Sequence, residues 1–387
     1  MEKNKIFKKY QSFQKLKISK TSSEKEILEK TQKIFQENSN NLDKYFSTQH
    51  QKILNQALND LFSNKGDKNN SQFTLKENSL AEINTMQGID ILKYLIHRYR
   101  YEIFPQKKIL DDFPPLVQIE PSSICNFRCV FCFETDKNFT NKKNGFMGTM
   151  KVDLFKNIID QIENKVEFVT LASRGEPLVS KEFEEMIKYT SEKFLNVKIN
   201  TNASLLNEKK CHAILESKIK TLVFSADAAD EKLYSELRVN GKLSTTLRNI
   251  KMFNSIKEKH YKKSKIITRV SGVKFNSDQN FDDMEKLWGD LVDQVAFVDY
   301  NPWENNYEKE SNDIQQSCSD LWRRMFIWWD GKINPCDVDY KSNLKIGNIS
   351  NLSISNAWNS TEYSMLRDKH LNKKRSELTP CRSCIQV

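Results

Sequence analysis

Histidine is scarce in this chain, and the few present do not cooperate. The five are His50, His97, His212, His260 and His370, and none forms the H-x-x-x-H pair with which a helix face holds zinc. Only His212 adjoins a cysteine, Cys211, at a spacing unsuited to shared ligation. A P-loop is absent, and nothing local supports Ser–His–Asp catalysis. No apolar run approaches the length of a membrane span, and residues 1–20 lack the apolar segment of a signal peptide. The expected location is therefore cytoplasmic, with no membrane partner. No RNA- or DNA-binding motif stands out, so nucleic acid is not an expected partner. The net charge of +10 comes from 61 basic and 51 acidic residues with dispersed lysines. It reads as a Lys- and Asn-rich composition rather than a nucleic-acid footprint.

What the chain does have is cysteine in two groups. Seven of its eight cysteines fall there, and in a reducing compartment that pattern means metal rather than disulfides. Cys211, the eighth, sits in a helical stretch and reads as a small buried hydrophobe. The first group lies in residues 117–136, VQIEPSSICNFRCVFCFETD, where Cys125, Cys129 and Cys132 follow a short apolar run and Pro121. Three soft thiolates on one tight loop suit an iron–sulfur cluster. Three ligands leave one iron of a four-iron cluster without a protein ligand, and an open metal position is what chemistry needs. Zinc is the competing reading, but zinc knuckles and ribbons pair their cysteines two by two, and this trio has no fourth Cys or His nearby.

The length allows a large catalytic domain with one or two smaller units. Residues 1–105 read as a polar, cysteine-free helical accessory region. One or two amphipathic helices are expected over 24–62, a loop or linker over 63–70, and a stronger helix over 89–103. The R-Y-R-Y segment of that last helix reads as a solvated face. From 114 the pattern changes to alternating elements. Strands are expected at 117–120, 167–171, 197–201, 221–225, 266–273 and 294–298, and helices at 152–162, 181–194, 207–216, 231–237, 247–257 and 281–288. Apolar strands separated by helices imply a parallel sheet. The expected class is α/β: a partial (β/α)6 TIM-type barrel over 114–300, with the helical region before it and a small auxiliary domain over 301–387. Chemistry in such barrels sits at the carboxyl ends of the strands.

With the aromatic Phe131 before its third cysteine, the C-x-x-x-C-x-x-C motif resembles the signature of the radical S-adenosylmethionine (SAM) superfamily. The resemblance implies a [4Fe–4S] cluster whose open iron chelates the SAM amine and carboxylate. SAM cleavage would yield a 5′-deoxyadenosyl radical that abstracts hydrogen from substrate. After the second strand, Ser173-Arg174-Gly175-Glu176-Pro177 resembles the family's glycine–glutamate motif, with Arg174 in place of a first glycine. There Glu176 would take the SAM amino group, beside Gly175. Asn200-Thr201-Asn202-Ala203 resembles the T-N-G stretch near the SAM ribose and methionine, with Ala203 replacing the glycine. Ser225-Ala226-Asp227 resembles the S-x-D segment facing the cofactor, and Arg238 matches an arginine just beyond it. The short polar residues have a plainer alternative as helix caps. Arg269 and Ser271, on the fifth strand, face cofactor or substrate in this reading. A buried Arg there needs an anion.

The second group is Cys318, Cys336, Cys381 and Cys384. Asp330-Gly331 reads as a hairpin turn between an aromatic strand and the strand leading to Cys336, and 356–368 reads as a helix. Ligands from a hairpin, a distant loop and a terminal C-x-x-C could hold zinc or an iron–sulfur cluster with every position filled. The order of these cysteines, with DG, GNI, W and LR between them, resembles the shortened SPASM or "Twitch" domain of radical SAM enzymes. Barrel and tail together are similar to the 2-deoxy-scyllo-inosamine dehydrogenase family. One auxiliary [4Fe–4S] cluster is implied, acting as an electron relay. The resemblance also implies a one-electron donor such as flavodoxin or ferredoxin.

Dehydrogenation of a small polyol, sugar or nucleotide sugar is the first expectation. Modification of a peptide is the second, and a non-catalytic metal-binding protein the third. A carbinol oxidation also needs a base. The loop after the sixth strand offers Asp299 and Glu304, with Tyr300 or Trp303 to stack on a ring. Asp337 and Asp339 beside Cys336 are the rivals.

Overall fold

The computed structural model describes residues 6–7, 13–18, 22–63 and 73–387. They group into two compact units, Ile18–Asp111 and the remainder, Met1–Lys17 with Asp112–Val387. Beyond Ser63, the linker expected over 63–70 lies outside the described residues.

Within Ile18–Asp111 the expected helical stretch over 24–62 divides in two, α1 (Glu24–Asn38) and α2 (Thr48–Phe62), around a 3-10 turn at Ser39–Lys44. Ser23 starts α1 with a reciprocal capping box to Glu26. α3 (Glu77–Asn84) follows. α4 runs Ile89–Lys107, longer than expected, and stops at Lys108 in the left-handed conformation. Both α1 and α2 pack on α4, burying Ile27, Ile34, Ile53 and Leu54. The R-Y-R-Y segment is not a solvated face: Tyr99, Arg100 and Tyr101 are buried. Arg98 pairs with Glu102, and Arg100 Nε lies 2.8 Å from the Asp111 carboxylate. Carboxylates in the same unit answer both guanidinium charges, which is what permits the burial.

The larger unit is built on one sheet. In chain order its strands are β1 (Phe13–Ile18), β2 (Leu116–Ile119), β3 (Arg128–Cys129), β4 (Phe168–Leu171), β5 (Asn196–Thr201) and β6 (Thr221–Ser225). Then come β7 (Arg238–Val239), β8 (Ile267–Lys274), β9 (Gln294–Asp299), β10 (Arg324–Ile327), β11 (Lys332–Asn334) and β12 (Gly347–Asn348). The helices are α5 (Lys137–Thr140), α6 (Val152–Ile162), α7 (Phe183–Tyr189), α8 (Glu208–Glu216), α9 (Glu231–Leu237), α10 (Leu243–His260) and α11 (Phe281–Gly289). α12 (Ile354–Trp358) and α13 (Thr361–Leu371) close the set. The helix expected over 181–194 is shorter, and the one expected over 356–368 is two, because Ser360 caps a new helix after Asn359.

The six expected strands are β2, β4, β5, β6, β8 and β9, all parallel to their neighbours in that order. This is the partial (β/α)6 barrel. Its core packs Val169, Ile199, Leu222, Phe224 and Val270 against the helix faces that carry Phe155, Ile187, Ile214, Phe253 and Trp288. A partial barrel leaves two strand edges with unpaired backbone groups. Here β10 pairs parallel to β2, continuing into the antiparallel β11 and β12, while β1 lies next to β9. Among the described residues the sheet therefore has ten strands, with the small C-terminal domain contributing β10 to β12. The Asp330-Gly331 turn forms as expected, with Gly331 at φ +81° and its N–H donating to the Trp328 carbonyl at 2.9 Å. Since Ile327 lies opposite Ile119, Trp328 and Trp329 emerge beside Glu120 at the carboxyl end of the barrel.

Candidate active site

The cysteine loop leaves β2 at Glu120 and is laced by its own side chains. Ser123 Oγ donates to the Phe146 carbonyl at 2.9 Å and accepts from the Gly148 N–H at 2.8 Å. Arg128 Nη1 donates to the carbonyls of Cys125 and Phe127 at 2.8 and 2.7 Å. The same nitrogen is 3.2 Å from the buried Glu134 carboxylate. Burial pushes Glu134 up to about 8, with Arg128 opposing. Sequence reasoning passed over both residues, since an R and an E in a loop carry no signal of their own.

Burial pushes all three thiols up, and Cys129 lies near enough to add to the rise of both Cys125 and Cys132. Two donors point at sulfur: the Phe127 N–H at Cys125 Sγ, 3.4 Å, and Arg238 Nη1 at Cys129 Sγ, 3.7 Å. Such contacts favour a charged sulfur, which is the form that binds metal. Among the described residues no three His, Cys, Asp or Glu side chains converge on a single-ion site. A four-iron cluster spreads its thiolates over separate corners instead of gathering them on one atom. The donor set therefore fits a [4Fe–4S] cluster held by Cys125, Cys129 and Cys132.

The residues expected to hold SAM meet at this loop. A Cβ on Gly175 would lie 2.5–2.6 Å from backbone atoms of Ser122, Ser123 and Ile124, so only glycine lets the motif seat there. The next residue fixes the contact, with the Glu176 N–H donating to the Ile124 carbonyl at 3.0 Å. The buried Glu176 carboxylate accepts from Thr201 Oγ1 at 2.6 Å and from the amides of Asn202 at 2.8 Å and Leu178 at 3.1 Å. Burial pushes its pKa up against those bonds. A carboxylate has about four acceptor sites, so one is left for an ammonium, which would offset the burial. Asn202 in turn donates to Asn126, between two of the cysteines, at 3.0 Å. Ala203, at the family's glycine position, does adopt the glycine conformation, φ +62°.

Asp227 is not a helix cap; Asp230 caps α9. Instead Asp227 accepts from the Val273 N–H at 2.6 Å and pairs with Arg238 Nε at 2.5 Å. Arg238 thereby links the end of β6 to Cys129, and its guanidinium lies 5.8 Å from the centre of the Phe131 ring. Ser225 ends β6 opposite Ser271. Arg269 stands apart from this group. It is the third residue of β8, opposite Val223 in mid-strand, and its Nε donates to Gln294 at 2.8 Å.

Arg174, in the first-glycine place, belongs to another network. Its guanidinium meets Glu120 at 2.6 and 2.8 Å, donates to the Tyr340 carbonyl at 2.8 Å, and stacks 4.2 Å from the Trp328 ring. It ties the barrel to the C-terminal segment. The loop after β9 does lie on the cysteine loop. Trp303 Nε1 donates to the Phe131 carbonyl at 3.1 Å and its ring packs on Phe133, so Trp303 is engaged by the loop. Tyr300 Oη donates to Glu304, and its ring sits 5.0 Å from Phe275, which packs on Phe131. Asp299 ends β9 opposite Lys274. Asp339 accepts from Tyr307 Oη and the amides of Asn343 and Leu344, which makes it a turn anchor; burial pushes it up to about 7.

Cys318, Cys336, Cys381 and Cys384 line one cavity walled by Leu321, Val338, Leu344 and Leu366. Burial pushes their thiols up, Cys318 to about 12. Four sulfurs and apolar walls suit a cluster with every iron ligated. Arg375 carried no signal in the sequence, and His370 read there only as one of five scattered histidines. Buried Arg375 donates to the carbonyls of Gln316, Cys381, Cys384 and Gln386, which stitches the C-x-x-C to the Cys318 segment. His370 Nδ1 accepts the Cys318 N–H at 3.2 Å.

A barrel with a three-cysteine loop at the carboxyl end of its first strand, plus a four-cysteine cavity in its C-terminal segment, has the donor sets of a cluster-binding protein. Residues 119–287 match the model of the Radical SAM superfamily, and residues 318–385 match SPASM, an iron–sulfur cluster-binding domain. The chain therefore carries a radical SAM domain and a SPASM domain; it is an enzyme, and these domains imply [4Fe–4S] clusters and SAM as its cofactors. Mycofactocin maturase MftC of Mycolicibacterium smegmatis is 23% identical over 158 residues, 41% of this chain and 39% of that protein. The chain thus spans about two-fifths of that curated relative's length. Streptococcus suis SuiB bound to precursor peptide SuiA is similar in structure, with TM-score 0.54 and 18% identity over 82% of this chain and 78% of that one. BtrN in complex with AdoMet and 2-DOIA follows at TM-score 0.48 and 18% identity, covering 72% and 95%. At such identities the likeness is one of fold.

Proposed function

We propose that this enzyme oxidises a C–H bond next to a hydroxyl in a small polyol, sugar or nucleotide sugar. With its cofactors bound, the first site supplies a 5′-deoxyadenosyl radical and the second a one-electron acceptor. The chain supplies positioning and proton transfer. Cys125, Cys129 and Cys132 hold the first cluster and leave one iron open for SAM. Glu176, aligned by Thr201 and Asn202, fixes the SAM ammonium, and Asp227 with Arg238 sets the charge beside Cys129. Glu304, oriented by Tyr300, takes the hydroxyl proton as the carbonyl forms, and Asp299 is the alternative base. Arg269 binds substrate deeper in the barrel. A stacked pair supports the relay role of the second site: Phe133, next to Cys132, lies 4.9 Å from Tyr340. Tyr340 in turn follows Cys336 by four residues and packs edge-on with Tyr307. Packed rings thus lead from the Cys132 side toward Tyr307, which lies near enough to Cys336 to feel its charge.

The observation that carries this reading is the hydrogen-bonded convergence of Glu176, Thr201 and Asn202 on the cysteine loop. The test is anaerobic reconstitution followed by dithionite and SAM. Release of 5′-deoxyadenosine is expected, with its loss in Cys129→Ala and a large rise in the SAM concentration needed by Glu176→Gln. A chain that releases none, though loaded with iron and sulfide, is not catalytic in this way.

The peptide reading is kept because of two likenesses. MftC is named a maturase, and SuiB was solved with a precursor peptide. Deuterium carried into 5′-deoxyadenosine from a labelled polyol, or from a labelled precursor peptide, separates the two.

A further inference from the structure

The four-cysteine cavity is closed by two segments that are far apart in the sequence. Gln386 lines the cavity beside Cys318, Cys336, Cys381 and Cys384. It is 3% exposed, and its own polar groups hold it there. Its N–H donates to Cys384 Sγ at 3.4 Å, and its Nε2 donates to Asp320 Oδ2 at 2.7 Å. Its carbonyl accepts from Arg375 Nη1 at 3.2 Å. Asp320 follows Cys318 by two residues, so Gln386 ties the Cys318 segment to Cys384.

The backbone on either side of Gln386 is answered by Phe7. The Phe7 N–H donates to the Ile385 carbonyl at 2.9 Å, and the Phe7 carbonyl accepts from the Val387 N–H at 3.1 Å. These two bonds make a parallel bridge with Phe7 opposite Gln386. Six residues further on, β1 begins, next to β9 at the edge of the sheet. An extended chain of six residues reaches about 20 Å, so Phe7 stays tethered near its partner even when the bridge opens. Backbone groups left without partners are costly. Each bond at such a bridge therefore changes how often the segment opens by a factor of several.

We propose that Phe7 is a positioning residue for the auxiliary cluster: paired with 385–387, it clamps Gln386 over Cys384 and shuts the cavity to solvent and chelators. This rests on the cluster reading of the four-cysteine cavity. Opening the clamp breaks the two Phe7 bonds, draws the Gln386 N–H away from Cys384 Sγ and gives water a path to the sulfurs. A hydrogen bond to a ligand sulfur also tunes the cluster itself. The clamp thus acts on the cluster's spectrum as well as on its lifetime.

The test uses the full chain carrying Cys125→Ala, Cys129→Ala and Cys132→Ala, so that iron reports the second site alone. After anaerobic reconstitution, iron release to the ferrous chelator bathophenanthroline disulfonate is followed in two further variants. Phe7→Pro lacks the N–H, whereas Phe7→Leu keeps both backbone bonds. Phe7→Pro is expected to release iron about five- to ten-fold faster than its parent, with a shifted EPR signal from the reduced cluster. Phe7→Leu is expected to keep the parent's signal and a release rate within about two-fold of it. A Phe7→Pro chain that retains no iron, beside a fully loaded Phe7→Leu, also supports the clamp. Parent-like release in Phe7→Pro overturns the proposal, and so does equal behaviour of the proline and leucine variants. A parent chain that takes up no iron at the four cysteines overturns the cluster assignment instead, so the two failures are distinct.

Discussion

Gly175 and Arg375 show how much a single side chain decides here. At Gly175 even a methyl group would meet the backbone of Ser122 and Ile124 within 2.6 Å, and backbone cannot swing aside. Gly175→Ala is therefore expected to push the Glu176 loop off the cysteine loop. SAM cleavage should fall at least about a hundred-fold, near the loss of about 3 kcal/mol seen when packing cannot relax. The check is 5′-deoxyadenosine release with dithionite. Arg375 spreads its donors over four carbonyls around the second cysteine group. Arg375→Met should lose the auxiliary cluster, halving the iron from about eight to about four per chain, while SAM cleavage continues and substrate turnover stops. Anaerobic iron and sulfide counting reads this directly. The cysteines and Glu176 were legible from spacing and motif. Arg375 was not, because in K-K-R-S-E it looks like one more solvated charge, and its partners come from segments up to 59 residues away.

The β10–β11 hairpin is the element that joins the two cluster sites. Its pairing with β2 brings Trp328, Trp329 and Tyr340 onto the Glu120–Arg174 ion pair, which is wholly buried. Removing one partner of such a pair leaves an uncompensated charge. Arg174→Met should then cost about 3–5 kcal/mol, and adding Glu120→Gln should recover most of it. Anaerobic urea titration followed by tryptophan fluorescence measures both. Turn chemistry and alternation announced the hairpin in the sequence. Its partner strand was hidden, because β10 and β2 are about two hundred residues apart and pairing at that separation leaves no local trace. The same holds for Ser360, a short polar residue whose cap splits a stretch that reads as one helix.

At the scale of the whole molecule, the two cysteine groups hold seven thiols whose pKa burial pushes up, which favours their protonated form without metal. Metal binding must displace those protons, so it is linked both to pH and to folding. Stripping the clusters anaerobically should expose the 318–385 region to protease well before the helices of Ile18–Asp111. Restoring iron and sulfide should reverse this, with loading weaker as pH falls. Limited proteolysis with mass spectrometry follows both. No described helix is long and apolar enough to cross a membrane.

Local rules sufficed for the six barrel strands and for the grouping of seven cysteines and the motifs that meet at the first cysteine loop, because cysteine spacing, strand length and glycine punctuation act over a few residues. Tertiary structure alone decided which charges are answered inside the protein. Arg174 and Arg375 are buried, each against partners from distant segments: Glu120 and the Tyr340 carbonyl for the first, the Gln316 carbonyl for the second. Burial of a guanidinium is a property of the space around it, and that space exists only once distant strands and loops have met.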